Sequence, residues 1–139
     1  MPNTQNNAYL LALAEHISQC ELDITELKQR LRQAPWSRFE QKAAERTLQV
    51  LIEACIGVAK HWVKKEVGQT STEALNSFNR LADKGLIDPQ TPWRKVIGLR
   101  NALVHDYLEV DPRIVQDVIQ SNYYQQLIDF GRQAIKALQ

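Results

Sequence analysis

Glycine and proline are scarce in this chain. Its 139 residues include 5 glycines and 5 prolines, roughly 7 % together against about 12 % in average proteins. A turn-rich β-sandwich or barrel and a disordered linker would both need more of them. The shortage favours long helices, and the length is that of one domain, so we expect residues 1–139 to form a single all-α domain.

An excess of charge is also missing. The 17 Lys and Arg residues nearly balance the 16 Asp and Glu residues, and the formal net charge is +1. No large field of either sign therefore attracts a polyanion or a membrane surface. Any contact with nucleic acid has to be local.

Long apolar runs are absent as well. The longest, residues 50–59, is interrupted by Glu53 and falls far short of the roughly 20 residues of a membrane span. No Lys or Arg precedes the first apolar residues, which argues against a secretory signal peptide. Cys20 and Cys55 lie 35 residues apart and belong to no cluster of Cys and His residues at metal-ligand spacing. We therefore expect buried, reduced thiols in a cytoplasmic protein that holds no metal or other cofactor.

Apolar spacing predicts two long helices in the first half of the chain. The first has a heptad seam and should end at Ala34-Pro35, because proline disfavours helical geometry in the residue before it. The second, residues 36–66, has an apolar stripe wide enough for a central helix with several neighbours. The seam of the first helix consists of Leu10, Leu13, Ile17, Cys20, Ile24, Leu27 and Leu31.

Start and stop signals divide the second half. Thr70 and Glu73 form a capping-box pattern that opens a short third helix, and Gly85 is the expected end of it. Thr91-Pro92 predicts a hydroxyl cap and a first-turn proline for a fourth helix that runs to about His105. Asp111-Pro112 repeats the signal for a last helix that reaches nearly to the C-terminus. We therefore predict an up-and-down bundle of four long helices and one short helix.

One cluster of polar residues on the fourth helix could carry chemistry. Asn101 and His105 are four residues apart and share a face, and Gly98 leaves space one turn earlier. Arg100 lies within the apolar stripe that should face the core, where its guanidinium needs a carboxylate or a phosphate. Glu53 is the internal candidate for that partner.

Structural explanations of the same residues stay open. His105 near a helix C-terminus interacts favourably with the helix dipole, Asn101 can be a surface residue, and Arg100 with Glu53 can be a buried ion pair alone. The other two histidines, His16 and His61, are expected in seam or surface positions.

The string R-N-A-L-V-H-D-Y, from Arg100 to Tyr107, followed by L-E-V-D-P and a helix, resembles the R-x-x-x-x-H-x-Y signature of HepT toxins in the HEPN superfamily. The likeness extends to R-T-L-Q-V-L-I-E-A-C-I-G-V-A from Arg46 and to F-N-R-L-A-D-K-G-L-I from Phe78, about two-thirds of the chain. The first helix is its least diagnostic part.

The resemblance implies a HEPN-like helical bundle that dimerises and a metal-independent endoribonuclease centre built from Arg100 and His105, with Asn101 and Glu53 in support. It also implies a cognate antitoxin, a minimal nucleotidyltransferase of the MntA type that transfers AMP from ATP to Tyr107. Cleavage of RNA by its own 2′-hydroxyl needs a base, an acid and positive charge on the phosphate. A two-fold dimer would bring two imidazoles and two guanidinium groups to one cleft.

Two further interpretations belong to other classes. The protein could be a non-catalytic module that binds a nucleotide or presents Tyr107 to the nucleotidyltransferase, or it could be a purely structural bundle. Of the three interpretations, only the ribonuclease toxin predicts RNA cleavage in the presence of EDTA with 2′,3′-cyclic phosphate ends. The structural bundle predicts neither cleavage nor labelling with AMP.

Overall fold

Helices and turns make up the part of the chain that the computed structural model describes, residues 4–69, 72–106 and 108–139. Within those ranges no strand is present, and the all-α prediction is confirmed. The six helices are α1 (Thr4–Gln33), α2 (Arg38–Val67), α3 (Ala74–Asp83), α4 (Trp93–His105), α5 (Pro112–Gln120) and α6 (Gln125–Leu138).

The two long helices begin and end where the sequence places their signals. The first ends just before Ala34-Pro35, as predicted. Ser37 caps α2 by accepting from the backbone of Glu40, whose side chain accepts from the backbone N–H of Ser37 in return. Gly68 ends the helix with a left-handed φ of 86°.

The short third helix ends at the predicted glycine. Gly85 has a φ of 72°, and Leu86 donates its backbone N–H to the carbonyl oxygen of Leu81 over 3.0 Å. That bond satisfies one of the carbonyls that the end of a helix leaves without partners. Thr70, the predicted start, lies outside the described residues, and α3 begins at Ala74 after Glu73.

Two predictions about helix starts have different outcomes. The prediction that Thr91 caps α4 is wrong. The helix begins at Trp93, one residue after the predicted first position at Pro92, and has no side-chain cap. Thr91 accepts from the N–H of Trp93 through its backbone oxygen instead. Asp111 does cap α5, and Pro112 occupies the first helical position as predicted.

The predicted last helix is two helices, which corrects the expected bundle of four long helices and one short one. Only α1 and α2, with 30 residues each, are long, and the others have 9 to 14 residues. The break falls at Asn122, which has a φ of 63°, a conformation that asparagine tolerates better than most residues. Lys28 of α1 donates to the Asn122 side chain.

Helix α2 lies at the centre, as its wide apolar stripe predicts, and packs against each of the other five helices. An aromatic cluster lies beside it, where the rings of Phe78 and Trp93 stack with centroids 3.8 Å apart and Phe130 meets Trp93 edge-on. Helices α1 and α4 pack on different faces of α2 and do not contact each other within the described ranges. None of the helices described combines the length and apolarity needed to cross a membrane.

Candidate functional site

The polar cluster predicted from the sequence lies at the C-terminal end of α4. Asn101 and His105 are exposed one turn apart, and α4 ends at His105, where the backbone N–H of Asp106 bonds the Ala102 oxygen. Gly98 is also exposed, and a Cβ atom there would meet no heavy atom within 4 Å. The structure therefore presents this face of α4 openly, as the spacing predicts.

Arg100 and Asn101 are joined directly. Arg100 donates from Nε to Oδ1 of Asn101 over 2.9 Å. Its two terminal nitrogens have no hydrogen-bond or ion-pair partner among the described residues. The guanidinium fork is thus held from one side and is available to a phosphate oxygen on the other.

The expected ion pair between Arg100 and Glu53 is not formed. Glu53 accepts from Nε2 of Gln49 over 3.0 Å instead, and Arg100 is only half-buried. Within the described ranges, α4 packs against α2 and α3 and not against α1. The stripe position of Arg100 is therefore only partly covered, so solvent reaches the guanidinium and no internal carboxylate is needed.

The other two histidines lie away from α4. His16 is half-buried between α1 and α2, with Nε2 3.4 Å from the backbone oxygen of Val50. The ring of His61 packs against Tyr9 with centroids 4.5 Å apart. Both predicted seam or surface positions are confirmed, and His105 is the one histidine of the three that lies on the helix of Arg100.

Tyr107 lies outside the described residues, so its contacts stay an expectation. Its described neighbours were missed by the sequence reasoning. Leu108 is 85 % exposed and Val104 is 39 % exposed, so apolar surface adjoins His105 on both sides along the chain. The sequence carried a signal, because Val104 and Leu108 flank His105 with apolar side chains at the predicted end of the helix.

A groove between α4 and α5 was also missed. It has a volume of about 500 Å³ and is lined on α4 by Gly98, Leu99 and Ala102 and on α5 by Ile114. A second pocket of about 430 Å³ continues from it, with Leu99 and Ile114 in both. Gly98 and Ala102, small residues one turn apart, are the sequence signal. Arg100, Asn101 and His105 do not line either pocket, which places the groove beside the polar cluster and not within it.

Acidic side chains lie between the end of α4 and the start of α5. Asp106, Glu109 and Asp111 line the groove, and hydrogen bonds from Arg113 lower the pKa of the Asp111 carboxyl below its usual value.

Elsewhere, burial raises the pKa of the Cys20 thiol to about 11. Within the described ranges, no three His, Cys, Asp or Glu side chains are grouped so that they could hold a metal ion.

Comparison with known proteins gives a consistent result. A family model described as Ribonuclease HepT-like matches residues 13–134. The chain is 36 % identical over 86 residues to the mRNA nuclease HepT of Shewanella oneidensis, which is 59 % of this chain and 65 % of that protein. It is 33 % identical over 82 residues to the tRNA nuclease HepT of Aphanizomenon flos-aquae, 57 % of this chain and 56 % of that protein. Both alignments cover less than two-thirds of the relatives' own length.

A solved structure extends the likeness along nearly the whole chain. The protein is similar to the tri-AMPylated HEPN toxin of Shewanella oneidensis in complex with the MNT antitoxin, with a TM-score of 0.75 and 27 % sequence identity. The match covers 92 % of this chain and 94 % of that one. The described α1, the least diagnostic part of the sequence resemblance, lies mostly within this match, because the match covers 92 % of the chain.

Proposed function

The chain belongs to the HepT-like ribonuclease family, and from that premise we propose that it is the toxin of a toxin–antitoxin pair and a metal-independent endoribonuclease. One observation carries the proposal: Arg100, Asn101 and His105 occupy the open end of α4, and Asn101 holds a guanidinium whose terminal nitrogens are unengaged. The nuclease names of the two relatives support the reaction class.

The proposed reaction uses the substrate's own 2′-hydroxyl. A base removes the proton from that hydroxyl, the oxygen forms a bond to the adjacent phosphorus, and the bond from phosphorus to the 5′-oxygen breaks. An acid supplies a proton to the departing 5′-oxygen, so the products are a 2′,3′-cyclic phosphate and a 5′-hydroxyl. His105 transfers the proton, and Arg100 stabilises the extra negative charge on the phosphate.

A homodimer follows from the number of imidazoles. One His105 can serve as base or acid but not both at the same moment, and His16 and His61 are held between α1 and α2. A two-fold dimer that places two copies of α4 at one cleft supplies the second imidazole and the second guanidinium. The exposed Val104 and Leu108 beside His105 give that contact an apolar component.

Control is assigned to a nucleotidyltransferase antitoxin of the MntA type that transfers AMP to Tyr107. The motif resemblance supports this step, as does the AMPylated toxin in the similar solved complex.

Glu53 on α2 is proposed as a supporting residue of the site, although it is not the partner of Arg100. A cytoplasmic location belongs to the same proposal, and the buried free thiols Cys20 and Cys55 are compatible with it.

The decisive experiment measures cleavage by the purified chain. End-labelled RNA is incubated with wild-type protein in EDTA, and the product ends are identified by their sensitivity to phosphatase before and after acid opening of the cyclic phosphate. We expect cleavage with cyclic ends by the wild type and a loss of roughly 10²–10⁴-fold in His105→Ala, since general acid–base catalysis contributes that much. Arg100→Ala should lose activity comparably, with circular dichroism as the control for folding.

Two results would contradict the proposal. If His105→Ala remained folded and kept more than about a tenth of the activity, His105 would have no part in proton transfer. If the wild type cut no RNA yet still accepted AMP from the nucleotidyltransferase, the alternative would stand: a non-catalytic, nucleotide-binding or substrate-presenting partner.

A further inference from the structure

The first three turns of α2 present cations that have no protein partner. Arg38, Lys42 and Arg46 are four residues apart in succession, so they follow one face of the helix, and all three are exposed. None of them makes a hydrogen bond or an ion pair with any residue in the described ranges. We call this set the α2 strip; it spans about 12 Å at the helical rise of 1.5 Å per residue.

Nearby carboxylates are occupied by other groups. Glu40 bonds the backbone N–H of Ser37 and lies 3.3 Å from Arg30 of α1. Glu45 accepts from Nε2 of Gln41 over 2.8 Å. No cation of the strip is therefore paired with a carboxylate in the described ranges, although the net charge of the whole protein is only +1. This is a local concentration of charge of the kind a polyanion needs.

An aromatic ring lies beside these cations. Phe39 follows Arg38 in the first turn of α2 and is 84 % exposed, one of the most exposed large apolar side chains among the described residues. Nothing in the core requires it, since the apolar side of α2 is formed by Ala44, Leu48 and their successors. A bare aromatic face among unpaired cations is the combination on which proteins bind single-stranded nucleic acid.

The strip lies at the same end of the bundle as His105. Helix α4 ends at His105, and α5 begins at Pro112, whose backbone oxygen accepts from Gln41 of α2. Leu99 of α4 also lines one pocket with Leu48 of α2, so the C-terminal half of α4 lies toward the N-terminal half of α2.

The strip and Arg100 both lie away from the pocket toward α5. Leu48 and Ile52 of α2 line that pocket. At 100° per residue, Lys42 and Arg46 lie further round α2, away from it. Arg100 of α4 lines neither that pocket nor the groove beside it.

We propose that the α2 strip and Phe39 form a binding site for the single-stranded RNA that flanks the cleaved phosphate, with the cations on the RNA backbone and a base stacked on Phe39. This inference rests on the proposed function, because it extends the same site. Charge complementarity favours RNA over a protein partner: three unpaired cations in one row suit a regular row of phosphates, and an exposed ring between them suits a base.

The binding experiment uses the full chain with His105→Ala, so that RNA stays intact. Fluorescence anisotropy with a labelled single strand of about 12 nucleotides, within the usual site sizes, measures affinity against salt. Replacing Arg38, Lys42 and Arg46 with Ala should weaken binding at least about tenfold and lower the salt slope by about two, since each phosphate contact contributes about 0.7. Phe39→Ala and Phe39→Leu should each weaken binding by about fivefold or more, whereas Phe39→Trp should keep it.

A matched control removes three cations from the other end of the bundle. The variant Lys60→Ala, Lys64→Ala, Lys136→Ala has the same change in net charge, and we expect it to bind RNA like the parent. In the active protein, the strip variants should raise KM for the long strand and leave kcat unchanged.

Each other outcome overturns the inference. Equal losses in the strip and control variants would indicate non-specific charge attraction, and wild-type protein that binds no RNA would remove the site. Strip variants that keep RNA affinity but lose the dimer in sedimentation, or lose only the antitoxin, would assign the strip to a protein contact. Failure of the proposed function is separate, since a wild type that binds RNA through the strip but cuts nothing would keep this inference and reject the nuclease.

Discussion

Arg100 and Asn101 are adjacent in the chain, and the side chain of the second holds that of the first, with Nε 2.9 Å from Oδ1. If Asn101 acts by positioning Arg100, its loss should weaken the stabilisation of charge on the phosphate and leave proton transfer by His105 unchanged. We predict that Asn101→Ala lowers cleavage by about fivefold, because a hydrogen bond contributes about 1 kcal/mol. The pH profile of kcat should keep its wild-type midpoints, since His105 is untouched. A shifted profile would mean that Asn101 acts on His105 instead.

The ion pair between α1 and α6 predicts a pH dependence of stability. Arg132 donates to both oxygens of Glu21, over 2.8 and 3.1 Å, and these bonds lower the pKa of the Glu21 carboxyl. A lowered pKa in the folded state adds stability above the unfolded pKa of about 4.3, and this contribution is lost as the pH falls through the folded value. Because the pair is partly exposed, Glu21→Gln should cost at most about 1 kcal/mol at neutral pH. Urea unfolding should show the difference disappearing in acid, and a cost that persists there would refute the linkage.

A close approach of α1 and α6 makes a second stability prediction. A Cβ atom on Gly131 would lie 2.4 Å from Cδ1 of Ile17, which is buried in the core. Gly131→Ala should therefore destabilise the protein by about 1–3 kcal/mol, and the shorter side chain of Ile17→Val should restore part of the loss. Gly98→Ala is the matched control, because open space surrounds it and alanine favours a helix interior by up to about 1 kcal/mol. Thermal unfolding of the variants separates the two cases, and equal losses would contradict the steric explanation.

Local signals in the sequence were sufficient for the boundaries that depend on them. Proline at position 35, the acid cap at Asp111 and glycine at position 85 each act within one turn, and the structure shows a boundary at each. The break at Asn122 has no proline or glycine. Its local signal is weaker, because asparagine only sometimes ends a helix in the left-handed conformation, and the bond from Lys28 to the Asn122 side chain comes from 94 residues away in the chain.

The candidate site divides in the same way. The spacing of Asn101 and His105 predicts their shared exposed face, because a helix fixes that relation by itself. The environment of Arg100 depends on which helices pack against α4, and in the described ranges these are α2 and α3 but not α1. Glu53 was expected to pair with Arg100 because it is the one charged residue in an apolar run. Its actual contact is Gln49, one turn away on its own helix.

The shared cleft can be tested by mixing inactive subunits. His105→Ala and Arg100→Ala chains with different tags are co-expressed and the mixed dimer is purified. If each cleft uses groups of both chains, the activity of the mixed dimer should differ from the average of the two parents. Both parents serve as controls, purified through the same steps. A strictly monomeric protein in sedimentation at the assay concentration would contradict the dimer directly.

The last prediction concerns Tyr107, two residues after His105. Attachment of AMP to its hydroxyl would add a phosphodiester charge and an adenosine next to Arg100 and His105. That group would compete for the guanidinium and exclude the RNA phosphate without unfolding the bundle. We predict that Tyr107→Phe still cleaves RNA, because the phenol takes no part in proton transfer, but that the nucleotidyltransferase with ATP and Mg²⁺ can no longer silence it.

Intact-mass spectrometry beside the cleavage assay decides the assignment, with wild-type protein gaining one or more AMP units as its activity falls. Tyr123→Phe is the matched control. Tyr123 is 54 % exposed, whereas Tyr124 is buried and Tyr9 packs half-buried against His61, so among these three Tyr123 is the most accessible competing acceptor. Its variant should accept AMP and lose activity like the wild type. AMP found on Tyr123, or silencing that persists in Tyr107→Phe, would show that the charge beside Arg100 is not what controls the toxin.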